Sequence, residues 1–185
     1  MKRVYLIRHA RPEFPGGKRM CLGITDLPLS AEGKVQAKAM AAALPGVTAV
    51  WSSPLTRAVQ TAEAIGLPVR ILEDLRELNA GEWDGLTFEK IRELYPELYA
   101  ARRDNRNLPP PGAEDFAAGT ARFRQAMDRA ARESEGDFAV VAHGGIIARF
   151  LESVNGIWRK PGYAEMIPLL WNNGEFYVQE EENHA

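Results

Sequence analysis

The chain has 185 residues, 45% of them hydrophobic and 26% charged, with a formal net charge of -2. This balance is ordinary for a globular protein and unlike a disordered or membrane-spanning chain. It also gives no overall attraction to nucleic acid, so an anionic ligand has to be held by a local cluster.

The length suits one large domain spanning 1–185. Cys21 is the only cysteine, so an internal disulfide or a cysteine-based zinc site cannot form, a reducing compartment fits, and the thiol reads as a buried spectator. The first apolar run, Val4 to Ile7, is four residues long. That is too short for a signal-peptide core or a membrane span, so a cytoplasmic location is expected.

Residues 3–8 read as a buried strand. Ser30 offers an N-cap for a helix through Leu44, with Val35, Ala39 and Ala43 recurring on one face. Val47 to Trp51 is the next apolar run. Pro54, at a first helical position, then opens a helix that Gly66 closes, and Val69 to Leu72 follows as a short strand. Thr87 to about Arg103 is helical with an interruption at Pro96, and Asn105 to Gly112 is a polar, proline-rich loop; together, about 87–115 reads as a helical lid.

A long amphipathic helix from about Ala113 to Glu133 leads to a strand at Phe138 to Ala142, then His143, Gly144, Gly145 and another helix. Met166 to Trp171 and Phe176 to Gln179 flank Asn173-Gly174, a hairpin-turn signal. Strands alternating with helices predict a three-layer α/β/α sandwich with a mostly parallel mixed sheet, the final hairpin adding antiparallel strands at an edge.

In an open α/β sheet, ligands bind beyond the carboxyl ends of the strands. Three polar segments fall there: Arg8-His9, Ser52-Ser53-Pro54 with Arg57, and His143-Gly144-Gly145. A lone strand-end histidine is more often structural, but two of them beside arginine or glycine point to a site. The third histidine, His184, lies beside the C-terminus and reads as tail. Arg8 and Arg57 suit phosphate oxygens, as do helix N-termini. Metal-assisted hydrolysis is the rival chemistry, but no HExxH motif, paired-aspartate motif or cysteine ligand set occurs, and arginines beside the histidines would repel a cation. A GxxxxGK[ST] phosphate loop is also missing from the sequence.

The segments Val4-Tyr5-Leu6-Ile7-Arg8-His9, Ser52 to Ala58, Leu75 to Gly85 and Val141 to Gly145 together resemble the histidine phosphatase superfamily, phosphoglycerate mutase-like branch. Gly23, Asp26 to Ser30 and Gly33 extend the resemblance over residues 1 to about 150. It implies His9 as nucleophile, Glu77 as proton donor, and Arg8, Arg57 and His143 as the phosphate pocket, with Gly23 and Gly144 also substrate-binding and no metal or cofactor.

The chemistry of those side chains fits the implied roles. A neutral imidazole can take a phosphoryl group once the dianion's charge is offset, and nearby guanidinium groups keep that imidazole unprotonated. His143, protonated or donating, and the Gly144 and Gly145 N–H groups could stabilise charge on the transferred oxygens. Repulsion from a bound dianion favours the protonated Glu77 carboxyl that a departing alkoxide needs. Glu82, Asp74 and Asp84 are the acids nearest in sequence that could be mistaken for it. Trp83 reads as a core or rim aromatic.

The sequence departs from that family at Ala10, where glycine is usual and a methyl group could narrow the pocket, and at Arg11-Pro12, which replace an acid and a threonine; Arg11 could substitute in the pocket. Ala80 stands where mutases carry tyrosine, and Leu22 where they often carry a hydroxyl residue. Both favour phosphatase over mutase. Pro110 to Glu114, with Arg122, resembles a motif of phosphatase branches that include alpha-ribazole phosphatases, although Glu114 could simply sit in the first turn of a helix.

The expectation is therefore a phosphomonoesterase that acts on a small phosphorylated metabolite through phosphohistidine, with alpha-ribazole 5'-phosphate as one candidate. A phosphoglycerate mutase-type transferase and a non-catalytic phosphate-binding module are the alternatives. Neither nucleic acid nor membrane is expected as a partner, and the oligomeric state is open, a homodimer being compatible.

Overall fold

In the computed structural model, which describes residues 1–179, a six-stranded sheet runs in the order β3-β2-β4-β1-β5-β6. The strands are β1 (Lys2–Arg8), β2 (Ala49–Ser52), β3 (Val69–Ile71), β4 (Phe138–Ala142), β5 (Met166–Asn172) and β6 (Glu175–Val178). The first four pair in parallel, while β5 and β6 add antiparallel strands beyond β1. β4 is buried along its whole length, FAVVA, as a central parallel strand covered on both faces must be.

Alternation along the strands sorts the core into two halves. Val4, Leu6, Trp51, Phe138 and Val140 point to a face covered by α5 (Phe116–Glu133) and α6 (Gly144–Asn155). Tyr5, Ile7, Val50, Ala139 and Val141 point to the opposite face, against α1 (Ala31–Ala43) and α2 (Thr56–Glu63). Two short helices, α3 (Phe88–Leu94) and α4 (Pro96–Asp104), occupy the stretch expected to form a lid, broken before Pro96. The terminal hairpin turns on Asn173 and Gly174, at φ 50 and 90, the two positive values a tight hairpin turn demands.

Three expectations need correction. α1 buries Gly33, Ala37 and Met40, whereas Val35 is 68% exposed. Its inward face is turned about 130° from the one apolar periodicity suggests, because the helix approaches the Arg11 backbone so closely that a Cβ on Gly33 would lie 2.1 Å from the Arg11 carbonyl oxygen. Helix α2 starts at Thr56 with Leu55 at its N-cap, two residues after Pro54. The Thr56 N–H donates instead to the distant Asp26 carboxylate, 2.8 Å away. Helix α5 starts at Phe116, where the Asp115 side chain accepts the Ala118 N–H at 2.8 Å, as a strong N-cap residue does. His184 lies outside the described residues.

Candidate active site

The parallel strands β2, β4 and β1 are neighbours, and their register sets Arg8 beside Ala142 and Ser52 beside Val141. The residues that follow therefore emerge together: His9 N–H donates to the Ala142 carbonyl at 2.9 Å, and Ser53 N–H to the Val141 carbonyl at 3.0 Å. This juxtaposition brings the His9 and His143 rings to 5.1 Å between centroids. His9 is 5% exposed and His143 fully buried.

The tautomer of His9 follows from its partner. Its Nδ1 lies 2.8 Å from the Ala10 carbonyl oxygen, which can only accept, so Nδ1 carries the proton and Nε2 keeps the lone pair. Burial holds His9 well below the ordinary histidine pKa of 6.5, and the Arg57 and Arg8 charges push the same way. His143 is lowered in the same manner, by burial first and then by Arg57 and His9. In the free protein it is thus a neutral ring rather than the protonated one considered from sequence. Its Nε2 sits 2.7 Å from Ser53 Oγ.

Arg57 is fully buried and donates to the Thr25 and Gly23 carbonyls at 2.8 and 3.0 Å. The loop carrying those carbonyls is held by Asp84, whose carboxylate accepts the N–H groups of Gly23, Ile24 and Thr25. Gly23 contributes through its backbone and does not line the cavity. A Cβ there would fall 2.6 Å from the Ala80 nitrogen and the Leu78 oxygen. Arg8 donates to the Pro161 carbonyl at 2.7 Å and lies under the Tyr163 ring, 4.0 Å from its centroid.

Glu77, 8% exposed, stands at the start of α6. It accepts N–H groups from Gly145 at 2.8 Å, Ile146 at 2.7 Å and Leu78 at 2.9 Å, so the helix terminus fixes the carboxyl by satisfying its own free donors. The Gly145 N–H is committed here and is not a free donor for phosphate, which corrects the role considered for it. The two glycines make the close approach feasible: a Cβ on Gly145 would lie 2.9 Å from Glu77 Oε1, and one on Gly144 2.9 Å from both Arg8 Nε and Lys160 Cε.

A second brace reaches Glu77 through its main chain. Arg122 pairs with Glu114 at 2.6 Å and donates to the carbonyls of Asp74, Arg76 and Glu77. Burial pushes the Glu114 carboxyl up, but Arg122 and the Asn79 N–H outweigh it and leave it below its ordinary value. Glu114 therefore precedes α5 and braces the acid, rather than complementing the helix dipole. Among the other acids, Asp74 pairs with Arg76, and Glu82 accepts the Tyr95 hydroxyl proton.

A cavity of about 380 Å³ opens over these groups, lined at its base by Arg8, His9, Glu77 and Gly144. Sequence reasoning missed Lys160 and Tyr163, which also line it. They sit in an irregular stretch after α6, where no periodicity marks them. Burial lowers the pKa of Lys160, as does the Arg8 charge. Ala10 is fully buried among Leu29 and Ala37, so its methyl group faces the core rather than narrowing the cavity. Arg11 pairs with Glu32 and stays out of the site. Cys21 lines the wall, and burial pushes its thiol pKa up to about 11.

Five buried side-chain nitrogens have no hydrogen-bond partner among the described residues: Arg8 Nε, Arg57 Nε, His143 Nδ1, Trp83 Nε1 and Arg102 Nη1. Such atoms are rare in folded proteins because each costs about 1–3 kcal/mol. Three of the five belong to the residues gathered at the strand ends. Among the described residues no group of three His, Cys, Asp or Glu side chains is placed to hold a metal ion, and no helix is long and apolar enough to cross a membrane.

Residues 4–178 match the profile of the histidine phosphatase superfamily (branch 1). A glucosyl-3-phosphoglycerate phosphatase of Mycolicibacterium vanbaalenii is 33% identical over 171 residues, covering 85% of this chain and 76% of that protein. A Mycobacterium tuberculosis protein named as bifunctional is 36% identical over 149 residues; the match covers 76% of this chain but only 41% of the relative's length. The solved structure of a mycobacterial glucosyl-3-phosphoglycerate phosphatase with VO3 superposes with a TM-score of 0.86 at 28% identity, over 97% of this chain and 98% of that one. A putative alpha-ribazole-5'-P phosphatase from Escherichia coli shares the fold at 23% identity, with a TM-score of 0.81 over 96% and 94% of the two chains.

Proposed function

This chain belongs to the histidine phosphatase superfamily (branch 1), and from that premise we propose that it is a phosphomonoesterase that hydrolyses a small phosphorylated metabolite through phosphohistidine, without a metal. The observation that carries the reading is the state of His9, a neutral ring with Nδ1 donating to Ala10 and its lone pair on Nε2. Around it stand two guanidinium groups and a second imidazole, each with one buried nitrogen that has no hydrogen-bond partner among the described residues.

In the first step His9 Nε2 attacks phosphorus, the phosphorus–ester oxygen bond breaks, and the departing oxygen takes a proton from Glu77. In the second, a water attacks phosphohistidine, gives its proton back to Glu77, and inorganic phosphate leaves. Arg8, Arg57 and His143 hold the transferred oxygens, Arg57 being kept in place by the Gly23 and Thr25 carbonyls. Gly144 lets Arg8 approach the same point.

The leaving group is the finer part of the proposal. Relatives at about a third identity are named for glucosyl-3-phosphoglycerate, whereas the alpha-ribazole likeness is one of fold. Both esters belong in one assay panel, with a chelator present and rapid alkaline quench to trap labelled histidine. Phosphate release with label on His9 is expected. Hydrolysis that appears only after a divalent metal is added would overturn the reading. Positional exchange of phosphate outrunning its release would replace it with a transferase.

A further inference from the structure

Ser53 carries a buried hydroxyl that takes no part in the two steps above. The residue follows β2 directly and is fully buried. Its main chain is already engaged, the N–H with the Val141 carbonyl and the carbonyl with the Ser52 hydroxyl at 2.9 Å. Its Oγ lies 2.7 Å from His143 Nε2 and accepts the Leu55 N–H at 3.3 Å. A hydroxyl has one hydrogen to give. Among the described residues, His143 Nε2 is the one acceptor within reach of that hydrogen.

Two arrangements of a neutral His143 are conceivable, and only one satisfies the pair. With the proton on Nε2, the ring would donate to Ser53 Oγ and leave the buried hydroxyl hydrogen without an acceptor, which folded proteins avoid. The reverse leaves nothing idle: the hydroxyl donates to Nε2, and the ring proton sits on Nδ1. A doubly protonated ring would strand the hydroxyl hydrogen again, and burial beside the Arg57 and Arg8 charges opposes it.

Nδ1 is the buried His143 nitrogen with no partner among the described residues. A proton there makes a neutral ring a donor to phosphoryl oxygens, whereas a lone pair would repel them. The two rings, 5.1 Å apart, are thus held in one tautomer for opposite purposes. His9 engages its Nδ1–H with Ala10 and frees Nε2 to attack; His143 engages Nε2 with Ser53 and frees Nδ1–H to donate.

We propose that Ser53 is a positioning residue of the reaction: by donating to Nε2, its hydroxyl sets His143 in the Nδ1-protonated tautomer, so that a neutral ring donates to the phosphoryl group. This rests on the phosphatase reading above and adds to it the state in which His143 acts.

Long-range proton–nitrogen correlation spectra of the histidine-labelled chain read the tautomer directly, with His143→Asn assigning the signals. Wild-type His143 should show a protonated Nδ1 and a bare Nε2. Ser53→Ala should move the proton toward Nε2, weaken calorimetric binding of inorganic phosphate about tenfold and lower kcat about 10- to 100-fold. Ser52→Ala removes an equally buried neighbouring hydroxyl that bonds a carbonyl, and it should leave the His143 tautomer in place. Because spectra and phosphate binding need no turnover, the expected tautomer in a wild-type chain that hydrolyses no ester would sink the phosphatase reading and spare the hold of Ser53 on the ring. A wild-type His143 protonated at Nε2, a tautomer that survives Ser53→Ala, or a changed tautomer with unchanged kcat would each overturn the role of Ser53, even if every ester is hydrolysed through phosphohistidine.

Discussion

The floor of the cavity and its mouth are built on opposite principles. On the floor, each functional group is fixed by the main chain: His9 by the Ala10 carbonyl, Arg57 by the Gly23 and Thr25 carbonyls, and Glu77 by three N–H groups. The mouth is walled by side chains of α3, α4 and the Gly81–Trp83 turn, packed on one another: Trp83 lies 6.2 Å from Tyr99, and Arg102 stacks above it. Backbone-fixed groups suit a reaction that tolerates little displacement. Side chains on side chains can be exchanged at small cost, which suits a surface that selects among leaving groups.

The sharpest way to break this contrast is at the centre of the floor. His9→Ala should abolish the trapped phosphohistidine and lower kcat on the order of 10⁴-fold, read by rapid quench; retained label would move the nucleophile elsewhere. The lowered His9 pKa adds a condition. Protonation of the free protein should not reduce kcat/KM as pH falls through 6.5, the ordinary histidine value, because the folded ring takes up its proton only at lower pH. An acid limb centred at 6.5 would show a solvated imidazole instead.

The next effect belongs to Glu77. Glu77→Gln should slow esters with poor leaving groups about 10²-fold or more, and esters with good leaving groups much less. Uniform slowing would make Glu77 a brace for α6 rather than the proton donor.

Arg122→Met tests the support behind that acid. Removing one partner of a partly buried ion pair that also holds three carbonyls should cost about 2–3 kcal/mol of unfolding free energy, measured by urea titration. It should also slow poor leaving groups about tenfold. A stability loss without that kinetic signature would confine the pair to packing.

At the mouth the expected effect is smallest. Tyr99→Ala should raise KM for bulky esters about three- to fivefold and leave kcat within a factor of two. A fall in kcat as large as that of Glu77→Gln would erase the distinction between floor and mouth.

Stability should carry the same signature of the buried rings. Both His9 and His143 are lowered by burial, so below about pH 6.5 the unfolded chain binds protons that the folded chain refuses. The melting temperature should therefore drop as pH falls from that value, and His143→Asn should flatten the slope.

What could be read directly from the sequence was the order of strands and helices and the polar residues just past the strand ends. Apolar runs such as Phe138 to Ala142 are fully buried, and their period and length suffice to mark them. His9, Arg57 and His143 stand out as polar residues past the strand ends, which the sheet brings to one edge, whereas Glu77 is marked only by the family resemblance and is held at the start of α6. The inward face of α1 was not legible, since Gly33, Ala37 and Met40 leave a weaker apolar trace than Val35 and its partners. Lys160 and Tyr163 were not legible because an irregular segment has no period to read.

The sequence alone thus determined the layering of the fold and the polar residues that follow its strands, because both are written in short-range pattern, while the roles proposed for His9 and Glu77 come from the resemblance to a family. Only the tertiary structure decided how those residues are held and what surrounds them. Asp84 fixing the loop that holds Arg57, Arg122 bracing Glu77, and Ser53 meeting His143 all join residues distant along the chain. Such contacts depend on distance in space, and spacing in sequence carries no record of it.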